Sequence, residues 1–301
     1  MTRRRTRWSA PVLVLGLLLA VGLHGRPDAA SLSLVKVEPA QAVDFESGAV
    51  WLLFLGSDAH AGTEVLEGRA DAIQLVGVDF DAGTAVAFGV PRDSWVELEG
   101  HGTNRINAGL PIGGTALMAS AVQDLFGISP DYVVTLGTDG LAKLVDGVGG
   151  IEIDTPRDVS EPDSGLDIRQ GRNRIRGAEA VGFARARYDL PRGDFDRSAN
   201  HQEMMRGVVR QLATHKDDVG FVEAAVLRAL GVLDTNLGAT ELYRLTQAVS
   251  QIDLTEVTTC VLSGTPGVVN GASIVYVDRE QAARLGRDAR DDARLDATCR
   301  G

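Results

Sequence analysis

Ten arginines fall between residues 169 and 210, against five acids, in a chain whose formal net charge is −11. A basic island in an acidic protein points to a specific anionic ligand rather than general adhesion. The planar guanidinium suits phosphate oxygens, two at a time. Arg172, Arg174, Arg206 and Arg210 read as members of solvated faces. Arg185 and Arg187 read differently. On a helix, positions i and i+2 point about 200° apart, so this pair acts together only on extended backbone, where alternate residues share a face. Asp189-Leu190-Pro191 marks the end of a helix there. Arg197 stands just before a helix predicted over Ser198–Thr214, with Ser198 as its cap. The free N–H groups of such a helix start attract anions. Two arginines leaving one helix and one entering the next could converge on a pyrophosphate.

The N-terminal half supplies acids at the ends of predicted strands. Asp58 closes one strand and Asp71 opens the next. Two carboxylates on adjacent strand ends could hold Mg²⁺, which keeps waters and binds through few carboxylates plus a substrate phosphate; ordinary capping and turn chemistry is the alternative. Pro91-Arg92-Asp93 reads as a turn with a local ion pair.

These side chains need a scaffold. Val50–Leu55, Ala72–Phe80, Ala85–Val90, Tyr132–Leu136, Ile151–Ile153, Val257–Leu262 and Ser273–Val277 read as strands. Pro91 cannot donate to a ladder and stops its strand just before Arg92. Helical spacing covers 114–126, 139–145, 178–185, 198–214, 219–233, 240–252 and 279–295. Strands and helices alternate without a repeat, which predicts one α/β domain over 49–301, with a mixed sheet and helices on both faces.

The 301 residues are 44% hydrophobic and 24% charged, which excludes a disordered chain, a fibre and a multi-span membrane protein. The negative charge and 5% aromatic content argue against nucleic acid as a partner. Arg3, Arg4, Arg5 and Arg7 precede an uncharged run from Ala10 to Leu23. That pattern is an export or anchor signal, leaving the basic stub cytoplasmic and the bulk outside. A retained signal anchor over 1–24 is favoured over cleavage near Ala40-Gln41-Ala42 or Ala29-Ala30-Ser31, with residues 25–48 as a linker. The membrane is then a partner, and the expected location is the cell membrane, single-pass, with the C-terminal domain extracellular. Export permits a disulfide between the two cysteines, Cys260 and Cys299; two free thiols are the alternative.

Six stretches in order carry a resemblance to a known family: Phe54-Leu-Gly-Ser-Asp58, Gly68-Arg-Ala-Asp71, Val90-Pro-Arg-Asp93, Asn104-Arg-Ile-Asn-Ala108, Leu144-Val-Asp-Gly-Val-Gly-Gly150, and Ala184-Arg-Ala-Arg187 continuing through Gly193-Asp-Phe-Asp-Arg197. The chain resembles the LytR-CpsA-Psr cell-wall glycopolymer transferases. The resemblance implies a three-layer α/β/α sandwich with a mixed central sheet, and a lipid tail held in an apolar groove or tunnel. It implies phosphotransfer of a glycopolymer from a polyprenyl-pyrophosphate carrier to peptidoglycan, forming a phosphodiester at the muramic acid C6 hydroxyl. A pyrophosphatase side reaction is compatible with it. Mg²⁺, or Mn²⁺, is the implied cofactor, at Asp58 and Asp71. Arg69, Arg92, Arg105, Arg185, Arg187 and Arg197 are the implied pyrophosphate contacts, joined by His201 and Gln202, where the family usually has Gln at the position of His201. Arg92, Asp93, Arg185 and Arg187 are the implied catalytic set, with Asp194 orienting the arginines. The readings from other classes are a non-catalytic envelope protein that binds lipid-linked polymer, and a regulator of cell-wall metabolism.

Overall fold

The computed structural model describes residues 32–36 and 48–299, apart from 60, 61, 163, 188, 189, 231, 232, 236–238 and 297. The expected stub and anchor over 1–24 lie outside these residues, as does most of the expected linker. Among the described residues, no helix is long and apolar enough to cross a membrane.

In chain order the strands are β1 (Leu32–Lys36), β2 (Ala49–Ser57), β3 (Ala70–Asp79), β4 (Thr84–Gly89), β5 (Trp95–Leu98), β6 (Gly102–Arg105), β7 (Tyr132–Leu136), β8 (Ile151–Thr155), β9 (Val159–Glu161), β10 (Leu166–Ile168), β11 (Gly171–Ile175), β12 (Leu233–Thr235), β13 (Val257–Val261), β14 (Gly264–Val269) and β15 (Ala272–Val277). The helices are α1 (Gly109–Phe126), α2 (Thr138–Gly147), α3 (Gly177–Arg185), α4 (Asp194–Thr214), α5 (Val219–Leu230), α6 (Ala239–Ser250) and α7 (Arg279–Ala289). Seven strands form one sheet in the order β12-β1-β7-β2-β3-β4-β13. β2, β3 and β4 run antiparallel to their neighbours in that trio, while β7 lies parallel to β2 and β13 parallel to β4. The sheet is therefore mixed, as expected. Its β1 comes from within the stretch read as a linker, where Leu32, Leu34 and Val35 supply apolar residues to a strand paired with β7.

The alternation of β2 explains the layering. Trp51, Leu53 and Leu55 face one way, into a core shared with Leu117, Met118, Leu125 and Phe126 of α1 and Ala282 and Leu285 of α7. Val50, Leu52 and Phe54 face the other way, toward Leu245 of α6. Val76, Val78 and Ala85 meet Val209 of α4 and Val249 of α6 on that same side. Residues two apart on a strand share a face, so a sheet apolar on both faces needs helices on both. A second core holds α2, α3 and α4 on the β8–β11 strands, through Val145, Ile151, Ile153, Val159, Leu166, Phe183 and Met204.

Two helix starts differ from expectation. α1 begins at Gly109 rather than Gly114, with a break in helical backbone at Gly113 and Gly114. α4 begins at Asp194, a full turn before Ser198. Gly193, at φ 55°, turns the chain into this helix, a conformation glycine adopts freely. Asp194 and Asp196 then occupy the first turn, where acids are favoured. Ser198 is not the cap; its hydroxyl accepts a hydrogen bond from Gln74 Nε2 at 3.0 Å.

Cys260 of β13 is bonded to Cys299, with Cα atoms 5.5 Å apart and a sequence separation of 39. Closing a loop of that length is worth about 4 kcal/mol in the chain-entropy picture. Gln281 of α7 donates to the Cys299 carbonyl at 2.6 Å, so the tail is pinned to the edge strand and to α7 together.

α1 and α7 approach so closely at Gly286 that an added Cβ would stand 1.9 Å from the Phe126 carbonyl oxygen. That neighbour is backbone and cannot swing away. Gly286→Ala is expected to destabilise the domain by about 1–3 kcal/mol, read as a lowered thermal unfolding midpoint; an unchanged midpoint would mean the helices separate at no cost.

Candidate active site

The site forms where β2 and β4 end and β3 begins. The β2–β3 register passes from Gly56 opposite Ala72 to Ser57 opposite Ala70, which leaves Asp71 unmatched. A bulge of this kind re-aims one side chain out of the alternation, and here it turns the Asp71 carboxylate toward Arg92. Beyond β4, the Pro91–Ser94 turn is closed by Ser94 N–H to the Pro91 carbonyl at 3.0 Å. It is stitched from below by Ile106 N–H to Ser94 O and Asn107 N–H to Arg92 O. A rigid turn thus presents Arg92 and Asp93 at the sheet end.

Arg92 sits among three acids. Its Nη1 donates to Asp71 Oδ2 at 2.6 Å, and its Nε lies 3.8 Å from both Asp93 Oδ2 and Asp194 Oδ1. Burial works against its charge, but the Asp71 bond and the charges of Asp71, Asp93 and Asp194 outweigh it, and the pKa is raised. Asp194 accepts the Arg92 backbone N–H at 2.7 Å and pairs with the Arg197 guanidinium. Arg197 is therefore inside α4 rather than before it. Burial, opposed by Asp194 and aided by Arg92, lowers its pKa, yet a guanidinium stays charged at any working pH. Arg105 reaches Asp93 Oδ1 at 3.4 Å, and Arg187 comes within 3.9 Å of Asp71 Oδ2.

The arrangement is crowded but unsaturated. Asp71 Oδ1, Arg92 Nε, Asn107 Oδ1, Arg197 Nε and His201 Nδ1 are all buried without a hydrogen-bond partner. Buried polar atoms are normally satisfied, so unmet donors and acceptors concentrated around Asp71, Arg92 and Arg197 fit a site completed by a polar ligand. The orphaned Asp71 Oδ1 fits a cation beside it. Asp58 lies at the end of the adjacent strand, its Oδ1 accepting the Arg69 N–H at 2.6 Å and its own N–H reaching the Arg69 carbonyl. That exchange closes the loop between β2 and β3 and leaves the Arg69 side chain exposed. Among the described residues, no group of three or more His, Cys, Asp or Glu is arranged around a metal position; two carboxylates plus a phosphate would suffice for Mg²⁺.

Arg185 ends α3, and Ala186 is extended at ψ 136°. Arg185 and Arg187 are exposed while Ala186 between them is buried, the alternation that their joint action requires. His201 and Gln202 differ from the expected phosphate contacts. Gln202 points under the sheet, donating to the Ala87 and Cys260 carbonyls at 3.2 and 3.0 Å, and so ties β4 to β13. Its place on the inner face of α4 buries it away from the arginines. His201 is buried with Nε2 2.9 Å from the Ala184 carbonyl. A carbonyl only accepts, so Nε2 carries the proton. Burial, with Arg197 and Arg92 beyond the Ala184 bond, pushes its pKa down to about 4.

Sequence reasoning misses two residues here. Asn107 is buried within the Asn104–Ala108 stretch, and its membership of that motif was the available signal. Glu161 accepts the Arg187 N–H at 3.0 Å; a single acid on a three-residue strand carries no signal of its own.

The fold is an α/β domain whose mixed sheet gathers arginines and aspartates into one unsaturated cluster at its strand ends. The LytR_cpsA_psr family model matches residues 26–291, and the chain belongs to that family. It is 31% identical over 212 residues to LcpB of Corynebacterium glutamicum, named a probable cell wall biosynthesis protein, covering 66% of this chain and 50% of LcpB. It is 28% identical over 233 residues to TagV of Bacillus subtilis, named a polyisoprenyl-teichoic acid–peptidoglycan teichoic acid transferase, covering 74% of this chain and 59% of TagV. The chain thus spans half to three-fifths of the length of these curated relatives. The crystal structure of B. subtilis TagV superposes with a TM-score of 0.69 at 24% identity, over 80% of this chain and 97% of that one. A structure titled YwtF (TagT) with bound octaprenyl pyrophosphate lipid superposes at 0.64 with 18% identity, over 85% and 94%. These likenesses establish the fold.

The depressed His201 pKa has a signed consequence. Between about pH 4 and the unfolded value near 6.5, the unfolded chain binds the proton and the folded chain does not, so stability rises with pH and falls on acidification. The contribution approaches 1.4 kcal/mol per pH unit. Urea unfolding across pH 4–7 is expected to show a steeper slope for the native chain than for His201→Gln; equal slopes would mean His201 titrates alike in both states.

Proposed function

We propose that this chain transfers a glycopolymer from a polyprenyl-pyrophosphate carrier to peptidoglycan, leaving a phosphodiester on the muramic acid C6 hydroxyl. The observation that carries the reading is the cluster of Arg92, Arg105, Arg187 and Arg197 around Asp71, Asp93 and Asp194, with buried guanidinium N–H groups still unmet. The transferase name of TagV and the octaprenyl pyrophosphate held in the TagT structure support it.

The chemistry asked of the protein is placement and charge neutralisation. Arg92, with Arg197 behind it and Arg187 and Arg185 at the rim, grips the pyrophosphate oxygens. Asp194 fixes two of these cations in one geometry, so no reorganisation is needed when charge develops. The acceptor hydroxyl attacks the phosphorus next to the sugar, the bond from that phosphorus to the bridging oxygen breaks, and polyprenyl phosphate leaves with the electron pair. Asp71 and Asp93 are the candidates to take the hydroxyl proton, and no base is required where a bound Mg²⁺ acidifies the hydroxyl. Asp58 and Asp71 are the residues that would hold Mg²⁺ or Mn²⁺, and a bound ion would neutralise phosphate oxygens and acidify the attacking hydroxyl. Water in place of the sugar hydroxyl would give the pyrophosphatase side reaction. In this reading the segment over 1–24 anchors the chain in the cell membrane, with the catalytic domain outside.

The test incubates the full chain in detergent with polyprenyl-pyrophosphate-linked oligosaccharide and peptidoglycan fragments, with Mg²⁺ or EDTA, and detects the sugar-phosphate adduct by mass spectrometry. Arg92→Ala is expected to lower transfer by about 10²-fold or more, the scale for losing one preorganised charge contact, with the fold retained. Unchanged transfer in the folded variant would sink the assignment of Arg92. Tight lipid binding without adduct or phosphate release, across several donors, would instead make the chain a binding protein for lipid-linked polymer.

A further inference from the structure

The stretch from Ala184 to Arg187 carries both exposed arginines of the pair, and its backbone is held at two points from two different elements. The Ala184 carbonyl, among the last of α3, accepts His201 Nε2–H from α4 at 2.9 Å. The Arg187 N–H donates to Glu161 Oε2 from β9 at 3.0 Å. Both anchors are 7% exposed. The last carbonyls of a helix lack intrahelical partners, and the N–H just past a helix end lacks one as well. Left to water, this stretch would be free to fray. Held by a carbonyl anchor before Arg185 and an amide anchor at Arg187, it has one path, with the buried Ala186 packed into the second core.

The anchors are chemically unequal to a simple packing role. A carboxylate buried to that degree is costly unless it is hydrogen-bonded, and the Glu161 carboxylate takes the Arg187 backbone N–H. A neutral imidazole with a fixed tautomer spends its single N–H on Ala184 and leaves Nδ1 unpartnered. Apolar residues of the same volume would fill these two places at less cost if only packing were needed.

We propose that Glu161 and His201 are positioning residues, a two-point clamp that presets Arg185 and Arg187 for a pyrophosphate. The inference rests on the reading that these arginines grip the pyrophosphate of a polyprenyl donor. It replaces direct phosphate contact by His201 with action through the backbone, and it adds Glu161. Positional precision of this kind matters because a catalytic or binding group must sit within about 0.5 Å of its productive place.

The test measures binding of geranylgeranyl pyrophosphate to the full chain in detergent by isothermal titration calorimetry. The variants are Arg187→Ala, Glu161→Ala, Glu161→Gln, His201→Leu, His201→Gln and the double Glu161→Ala/Arg187→Ala, each checked by thermal unfolding. Arg187→Ala is expected to weaken binding about tenfold or more. Glu161→Ala and His201→Leu are each expected to weaken it at least fivefold, while Glu161→Gln and His201→Gln, which keep an acceptor and a donor, recover most of the loss. The double variant is expected to lose less than the two single losses combined, because Glu161 acts partly through Arg187 and only Arg185 remains for it to preset. His201→Leu fills its site without a donor and reads the clamp even if Glu161→Ala fails to fold. Native affinity in folded Glu161→Ala and His201→Leu, beside a weakened Arg187→Ala, would overturn the clamp alone. Fully additive losses in the double variant would overturn it too. Native affinity in Arg187→Ala would overturn the pyrophosphate reading itself and the clamp with it.

Discussion

The Asp194 carboxylate joins the two halves of the site. One oxygen takes the backbone N–H of Arg92 at the end of β4, and the other takes the guanidinium of Arg197 on the first turn of α4. Without it, two buried cations would face each other across the sheet end and neither the Pro91–Ser94 turn nor the start of α4 would have a fixed distance from the other. A buried charge must be paired, so the carboxylate holds the arginines by the same interaction that lets them be buried. Asp71 repeats the device from the bulged side of β3, and Asp93 from the turn itself.

A neighbouring pair extends this logic outward. Asp196 accepts Arg192 through its backbone and side chain and Arg157 through its guanidinium. These bonds and the charge of Arg192 outweigh burial and hold the Asp196 carboxyl below its usual range. The β8–β9 turn is thereby fastened to the start of α4, beside the strand that supplies Glu161. The arginine-rich segment between α3 and α4 is bounded on each side by carboxylates whose partners lie in different elements. Of the ten arginines over 169–210, Arg206 and Arg210 go to backbone carbonyls, and Arg172 and Arg174 lie on β11. The local excess of positive charge is therefore real in sequence but only partly directed at the site.

Much of the scaffold was legible because it follows from period and punctuation. The unbroken apolar run Val50–Leu55 reads as a buried strand, Pro91 ends β4 before Arg92, and the helical spacing of 114–126 lies within α1. The failures have a common cause. Ser198 is a good cap by residue type, whereas the positive φ of Gly193 that starts α4 is not visible in composition. The stretch read as a linker contains β1, because five residues with three apolar side chains become a strand only when β7 offers an open edge. Short hairpins such as β9–β10 escaped because three-residue strands carry no period.

The sequence alone supplied an order of motifs dense enough to indicate the family and, through it, candidates for the site, of which Arg92, Arg105, Arg187, Arg197, Asp71, Asp93 and Asp194 meet in one cluster. Residue type sets which charges exist, and spacing sets which can share a loop or a strand end. The tertiary structure decided who touches whom. Gln202 and His201 are adjacent on α4, yet one bridges two strands beneath the sheet and the other holds the end of α3, because a helix turns successive side chains by about 100° and its two faces meet different layers. Glu161, on the β9–β10 hairpin, meets Arg187 only through a hydrogen bond between distant elements. Contact across elements depends on distances fixed by packing, and no local pattern of residues records those distances.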